Sequence, residues 1–289
     1  MIKKDITTWE EFKKALTEPI TESTTYNIKN DLDATNDILT ENITCVTGTQ
    51  YSKIFKGNNY KINGITAYGD VTVFYLDNAQ QYDYNFRFYD IKFTNFMIES
   101  GIFTNMSRDS FTSDYEVYKD LFVNCFFNGV CRSFMSVPAN KKLAYFTKCS
   151  FNIRCKFFVG SSITLDSCYI VVNPLQSTNA FGTNSTLINS YVEGVIKNTF
   201  TETTFLTPKF NNNNVFNCKV IITNYSDSNT YIVNNSNKPV LINKDRLLQS
   251  DGVTPIKNIA SATNIYFLTD KQMKDKNYIQ QNTTFPLYG

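Results

Sequence analysis

Histidine is missing from this chain altogether, and tryptophan occurs once in 289 residues. Without imidazole there is no Ser/His or Cys/His nucleophile device and no histidine-held metal site. What remains open to an enzyme is a carboxylate pair or a lyase using Lys or Arg as base. No stretch of 18 apolar residues occurs, and the N-terminus lacks the apolar core of a signal peptide. Neither a membrane span nor a secretory leader is therefore expected. Charge is close to balanced at +2, with no Lys/Arg run or basic stripe, which argues against a nucleic-acid partner. Seven cysteines are present but no C-x-x-C pair, so neither a cysteine metal knuckle nor a redox motif is indicated. Glycine is low at 11, so left-handed backbone positions must fall largely to other residues.

What the chain does have is a pair of near-copies in its middle. Phe122-Val-Asn-Cys-Phe-Phe-Asn-Gly-Val-Cys-Arg-Ser-Phe134 is followed, 24 residues on, by Phe146-Thr-Lys-Cys-Ser-Phe-Asn-Ile-Arg-Cys-Lys-Phe-Phe158. A fixed offset of this size marks a solenoid, whose copies bury their apolar faces against each other. The six-residue core of the repeat reads apolar, any, polar corner, apolar, any, apolar. It recurs at 62–67, 88–93, 165–170, 187–192, 215–220 and 262–267, and more weakly at 40–45 and 237–242. Its third position holds Asn42, Gly64, Asp90, Asn124, Lys148, Ser167, Asn189, Asn217, Pro239 and Asn264, a column rich in residues that tolerate a left-handed backbone.

Positions four and six share one strand face because side chains alternate with period two. Position one lies an odd three residues before position four, and a left-handed bend at position three brings it back inward. The spacing between corners averages about 25 residues. The expected fold is all-β: a single-stranded, right-handed parallel β-helix of about 9–10 coils with short α-helical caps at both ends. Asparagine, with 35 residues, suits stacked corners and equally suits a gene from an AT-rich genome. Cys45, Cys125, Cys149, Cys168 and Cys218 fall at positions four or six. Cys125 and Cys149 could stack closely enough to bond, but packing of small apolar thiols in a reducing cytoplasm is the reading adopted.

The ends differ from the middle, which divides the chain into a helical cap at 1–20, a solenoid at 21–267 and a C-terminal helix with an apolar tail at 268–289. Thr8-Trp-Glu-Glu11 is a capping box, and Trp9, Phe12, Ala15 and Leu16 form one apolar stripe, suited to covering the open first coil. A second helix is expected after Thr269 or Asp270, with Met273, Tyr278 and Ile279 as its apolar residues. The coil between corners 90 and 124 is some ten residues long for the pattern. Its extra segment, 105–120, carries Phe111, Tyr115 and Tyr118, placed as solenoid insertions are when they serve a working surface. Those three aromatics, with Phe285, Leu287 and Tyr288 of the tail, are the candidate contacts to a partner protein or a glycan. Asn211 to Asn214 reads as a protruding turn.

The opening helix Trp9-Glu-Glu-Phe12, the segment Phe55-Lys-Gly-Asn-Asn-Tyr-Lys-Ile-Asn-Gly-Ile65, the repeated Phe-x-Asn-Cys-x-Phe cores and the ending Leu268-Thr-Asp-Lys-Gln-Met-Lys together carry a resemblance. Over nearly its whole length the chain resembles β-helix tail- and baseplate-associated proteins of phages and phage-tail-like bacteriocins from low-GC Gram-positive, clostridial hosts. The resemblance implies a structural virion protein, peripheral on tail or baseplate and assembled in the host cytoplasm. Its partners would be other particle proteins or further copies of itself. It assigns no catalytic, cofactor or metal residues. A receptor-binding module for host surface glycan is the alternative, and a glycan-degrading tailspike a third class. Asp90 and Asp166, the acids within the repeat cores, are three corners apart, about 14 Å at one strand spacing per coil and too far for paired work. No enzymatic activity and no cofactor are therefore expected.

Overall fold

The computed structural model describes residues 1–46, 51–76, 85–105, 121–136, 144–159, 163–181, 185–198, 204–206, 209–210 and 213–286. The protein is β-rich and built on parallel sheets. The first sheet runs, in spatial order, Ile2–Ile6, Thr24–Ile28, Ser52–Lys56, Asn85–Tyr89, Phe122–Val123, Ala144–Thr147, Ile163–Asp166, Thr186–Ile188 and Lys209–Phe210. The spine of the second runs Leu32–Asp33, Lys61–Asn63, Lys92–Asn105, Phe126–Ser136, Ser150–Val159, Tyr169–Phe181, Tyr191–Asn198, Asn214–Phe216, Val240–Asn243 and Ile265–Leu268. From Thr24 to Phe216 each pass of the chain contributes to the first sheet and then to the second. The near-copies lie in register, with Phe122 beside Phe146, Phe127 beside Phe151 and Cys131 beside Cys155.

The sequence motif explains the bend between the sheets. Asp90, Asn124, Lys148, Ser167 and Asn189 hold φ between 47° and 56°. At each of these corners one left-handed residue turns the chain from one sheet into the other. Position one then enters the core from the first sheet, and positions four and six from the second. Tyr26, Phe55, Phe88, Phe122 and Phe146 form one stacked column, with ring centroids 5.0, 5.1, 4.9 and 5.0 Å apart. Phe93, Phe127 and Phe151 form another, at 5.1 and 5.2 Å. Burial of each ring contributes about 1.5–3 kcal/mol and each ring pair about 0.5–1.5 more.

Three expected corners are not left-handed: Asn42, Asn217 and Pro239. At 215–220 the expected core is displaced. Val192 pairs with Phe216, so position six of that pass is Phe216 and position four is Asn214. From Asn214 to Val220 burial simply alternates, with Phe216 and Cys218 inside and Val215 half-exposed. Of the run expected as a protruding turn, Asn211 and Asn212 lie outside the described residues, and Asn214 is fully buried at the start of a strand. The segment 62–67 also belongs elsewhere. Ile62 pairs with Phe93 in the position-six column, and Gly64 marks a second bend that Asn95 repeats one pass later. Ile43 and Cys45 pair with Phe74 and Leu76, beyond that second bend.

At the N-terminal end, α1 (Trp9–Thr17) starts on the Thr8–Glu11 capping box and buries Trp9, Phe12, Ala15 and Leu16. The strand Ile2–Ile6 precedes it and pairs with Thr24–Ile28, an addition to the helix expected in 1–20. Lys53 is fully buried beneath α1, its Nζ donating to the Ala15, Leu16 and Glu18 carbonyls at 2.7, 3.0 and 2.6 Å. Those carbonyls are the ones a helix C-terminus leaves unpaired. At the other end two short helices replace the one expected, α2 (Asp270–Lys274) and α3 (Lys276–Asn282). Met273, Tyr278 and Ile279 pack with Leu241, Leu268, Val215 and Tyr266. Val215, Leu241 and Tyr266 alternate with inward residues, so the helices cover the outer face of the last strands.

Candidate functional site

The cysteines of position four do more than fill space. A left-handed corner interrupts the backbone ladder, and the side chain at position four bridges the interruption in the preceding pass. Cys125, Cys149 and Cys168 donate from Sγ to the carbonyls of Phe88, Phe122 and Phe146 at 3.4, 3.4 and 3.5 Å. Ser190 continues the series to Leu165 O at 3.1 Å, and Asn214 to Leu187 O at 3.0 Å. The last two also accept the position-four N–H of the preceding pass: Ser190 Oγ takes Cys168 N–H at 3.2 Å, and Asn214 Oδ1 takes Ser190 N–H at 2.8 Å. All seven cysteines are free and buried. Burial pushes Cys45, Cys155, Cys168 and Cys218 up to about 12 and raises Cys125 and Cys131. These raised thiols hold their protons and are poor nucleophiles.

Among the described residues no group of three or more Cys, Asp and Glu is assembled as a metal site. Asp90 accepts from Asn124 Nδ2 at 2.6 Å, and Asp166 from Ser167 Oγ at 2.9 Å, each tied to a corner. Of the candidate contact residues, Phe111, Tyr115, Tyr118, Leu287 and Tyr288 lie outside the described residues. Phe285 is half-buried against the cluster of Leu241, Leu268 and Ile279, a contact within its own chain on the outer face of the last strands. The concavity along the first strands, about 720 Å³, is lined by Lys3, Asp5, Lys29, Lys56 and Asn58, with Lys29 and Asp5 paired at 3.4 Å.

An extended polar network lies on the outer face of the second sheet. Tyr169 and Tyr191 occupy position five on adjacent strands, rings stacked at 5.7 Å and 13°. Glu193 joins them, accepting from Tyr169 Oη at 2.5 Å and Tyr191 Oη at 3.1 Å. The bond to Glu193 raises the Tyr169 phenol to about 12. From Tyr191 the network continues through Asn217 Nδ2 at 3.0 Å, and Asn217 Oδ1 takes Asn243 Nδ2 at 2.8 Å. Asn243 also donates to Asp270 Oδ1 at 2.5 Å, which Arg246 Nε approaches at 3.2 Å. Asn217, expected as a corner, is therefore a member of this outer ladder. The signal for Tyr169 and Tyr191 was present in sequence: both are position five of a motif core, the outward position between two inward ones. No protein-family model, curated protein or solved structure matches the chain.

Proposed function

We propose that the passes close into a right-handed, single-stranded parallel β-helix of about ten coils. In this reading the protein is a structural component of a phage or phage-tail-like particle, peripheral on tail or baseplate. The observation that carries it is the ladder at position four, where thiol, hydroxyl and amide all bridge the corners of the fold. Chemistry that in an enzyme would face a cleft here fixes shape. The particle itself is supported by the resemblance of the opening helix, the repeated cores and the C-terminal segment to proteins of such tails. Partners would be neighbouring particle proteins or further copies of the chain, met after assembly in the host cytoplasm. Immunogold labelling of purified particles tests this. Gold confined to tail or baseplate is expected, and particles free of the protein would refute the assignment.

A second reading, recognition of host surface glycan, is favoured by the exposed Tyr169 beside Tyr191 and Glu193, since aromatic faces with adjacent polar groups suit sugar rings. Binding of the isolated protein to whole host cells separates this from a purely structural role. Release of reducing ends from host wall polymer would instead identify a glycan-degrading enzyme.

A further inference from the structure

Phe126, Ser150, Tyr169 and Tyr191 are successive partners across four adjacent strands. Their sequence neighbours Cys125, Phe127, Cys149, Phe151, Cys168 and Ile170 are buried, so these four side chains point outward. Tyr191 covers one face of the Tyr169 ring, and the strand order places Ser150 and then Phe126 on its other side. The small serine leaves a slot between two aromatic residues. Two strand spacings make it roughly 9–10 Å wide. A flat ring touching both walls needs only about 7–8 Å, so a nucleobase would rattle where a puckered pyranose fills the gap.

The rim of the slot has polar groups and an excess of cations, with the Glu193 carboxylate tied to the Tyr169 and Tyr191 hydroxyls. Ser150, Asn152, Arg154 and Lys156 share the outward face of one strand, and Asn152 and Arg154 are exposed. The three strands Phe126–Ser136, Ser150–Val159 and Tyr169–Phe181 contain Arg132, Arg154 and Lys156 and no aspartate or glutamate. Arg154 lies four residues beyond Ser150, about 13 Å along the strand, a gap that its long side chain can narrow towards the sugar next to the slot. This local excess of cations is hidden in the near-neutral net charge.

We propose that the Phe126–Ser150–Tyr169 slot binds an anionic glycan, with one pyranose ring between the two aromatics and an acidic group of its neighbour at Arg154. The proposal rests on the second reading above and adds to it the site and the charge of the ligand. Its test is calorimetric titration of the full chain with hexagalacturonate, neutral chitohexaose and the oligonucleotide hexathymidylate. Hexagalacturonate is expected to bind at least about tenfold more tightly than either other probe. Tyr169→Ala and Ser150→Phe are expected to weaken it about tenfold, while Arg154→Gln removes most of the preference over chitohexaose. Circular dichroism confirms that each variant is folded, and Tyr169→Ala and Arg154→Gln change only surface side chains. Failure of hexagalacturonate to bind, equal binding of chitohexaose, or tighter binding of hexathymidylate would overturn the proposal. Whole-cell binding that survives all three variants would keep the glycan-receptor reading but move it away from this slot. Absence of both cell binding and probe binding would remove both.

Discussion

Asn124 sits at φ 53° and donates from Nδ2 to Asp90 one pass earlier, so one side chain serves both the bend and the ladder. A β-branched residue cannot adopt that backbone without strain. Asn124→Gly should lose only the exposed hydrogen bond, whereas Asn124→Val should cost about 1–2 kcal/mol more in urea unfolding. Equal losses would show that φ at this corner is not what selects asparagine. The thiol at position four offers a second residue-level test. Ser190 shows that a hydroxyl can fill this place, so Cys149→Ser should change stability by less than about 1 kcal/mol. Cys149→Ala removes both the thiol's bond to the Phe122 carbonyl and its packing and should cost about 1–3 kcal/mol. Identical effects of serine and alanine would reduce the cysteine to packing alone.

Lys53 shows what single elements of this fold demand of one another. Helix α1 ends over the first sheet with its last carbonyls facing the core, and the Lys53 ammonium meets three of them. Lys53→Met should fill the space yet leave the Ala15 and Glu18 carbonyls unpaired, while Leu16 O keeps the Val46 N–H, a loss of about 3–5 kcal/mol by urea unfolding. A near-neutral substitution would mean that water replaces the ammonium. Nothing in the sequence marked Lys53, because a lysine within a strand ordinarily reads as an outward residue. The capping boxes at Thr8 and Thr269 were legible, being local patterns of hydrogen bonding. So was the register from Phe88 to Val192, where each corner is left-handed and three inward residues repeat. At 215–220 the same motif was mimicked by plain alternation through Asn217, and the true inward residue at position four, Asn214, is polar. At 62–67 a genuine left-handed corner at Gly64 belonged to a different bend. The outer tyrosine ladder was the hardest to see, since its partners come from strands 22 to 26 residues apart.

At the scale of the whole molecule, burial of thiols and of a phenol ties stability to pH. Cys45, Cys155, Cys168 and Cys218 hold their protons up to about 12 when folded, against an ordinary value of 9.0. Tyr26, raised by burial from 10.0 to about 12, behaves alike. Groups raised in this way stabilise the fold fully below their unfolded values, and that contribution is lost as pH rises towards 12. Lys53, lowered by burial from 10.5 to about 8, acts in the opposite sense between those values, but it is one group against five. The melting temperature should therefore fall steeply between pH 9 and 11. A melting temperature that rises over this interval would contradict the burial of the thiols.

The claim on which the rest depends is that successive passes stack in register, one strand spacing apart. Lys61, Lys92, Phe126, Ser150 and Tyr169 are consecutive partners along the second sheet, so Lys61 and Tyr169 stand four spacings apart. Both side chains are exposed, while the native thiols are buried and out of reach of the label. The direct measurement is a double electron–electron resonance distance between spin labels on Lys61→Cys and Tyr169→Cys. Stacking predicts one narrow distribution centred near about 19 Å. A broad distribution, or a single peak beyond about 30 Å, would contradict it.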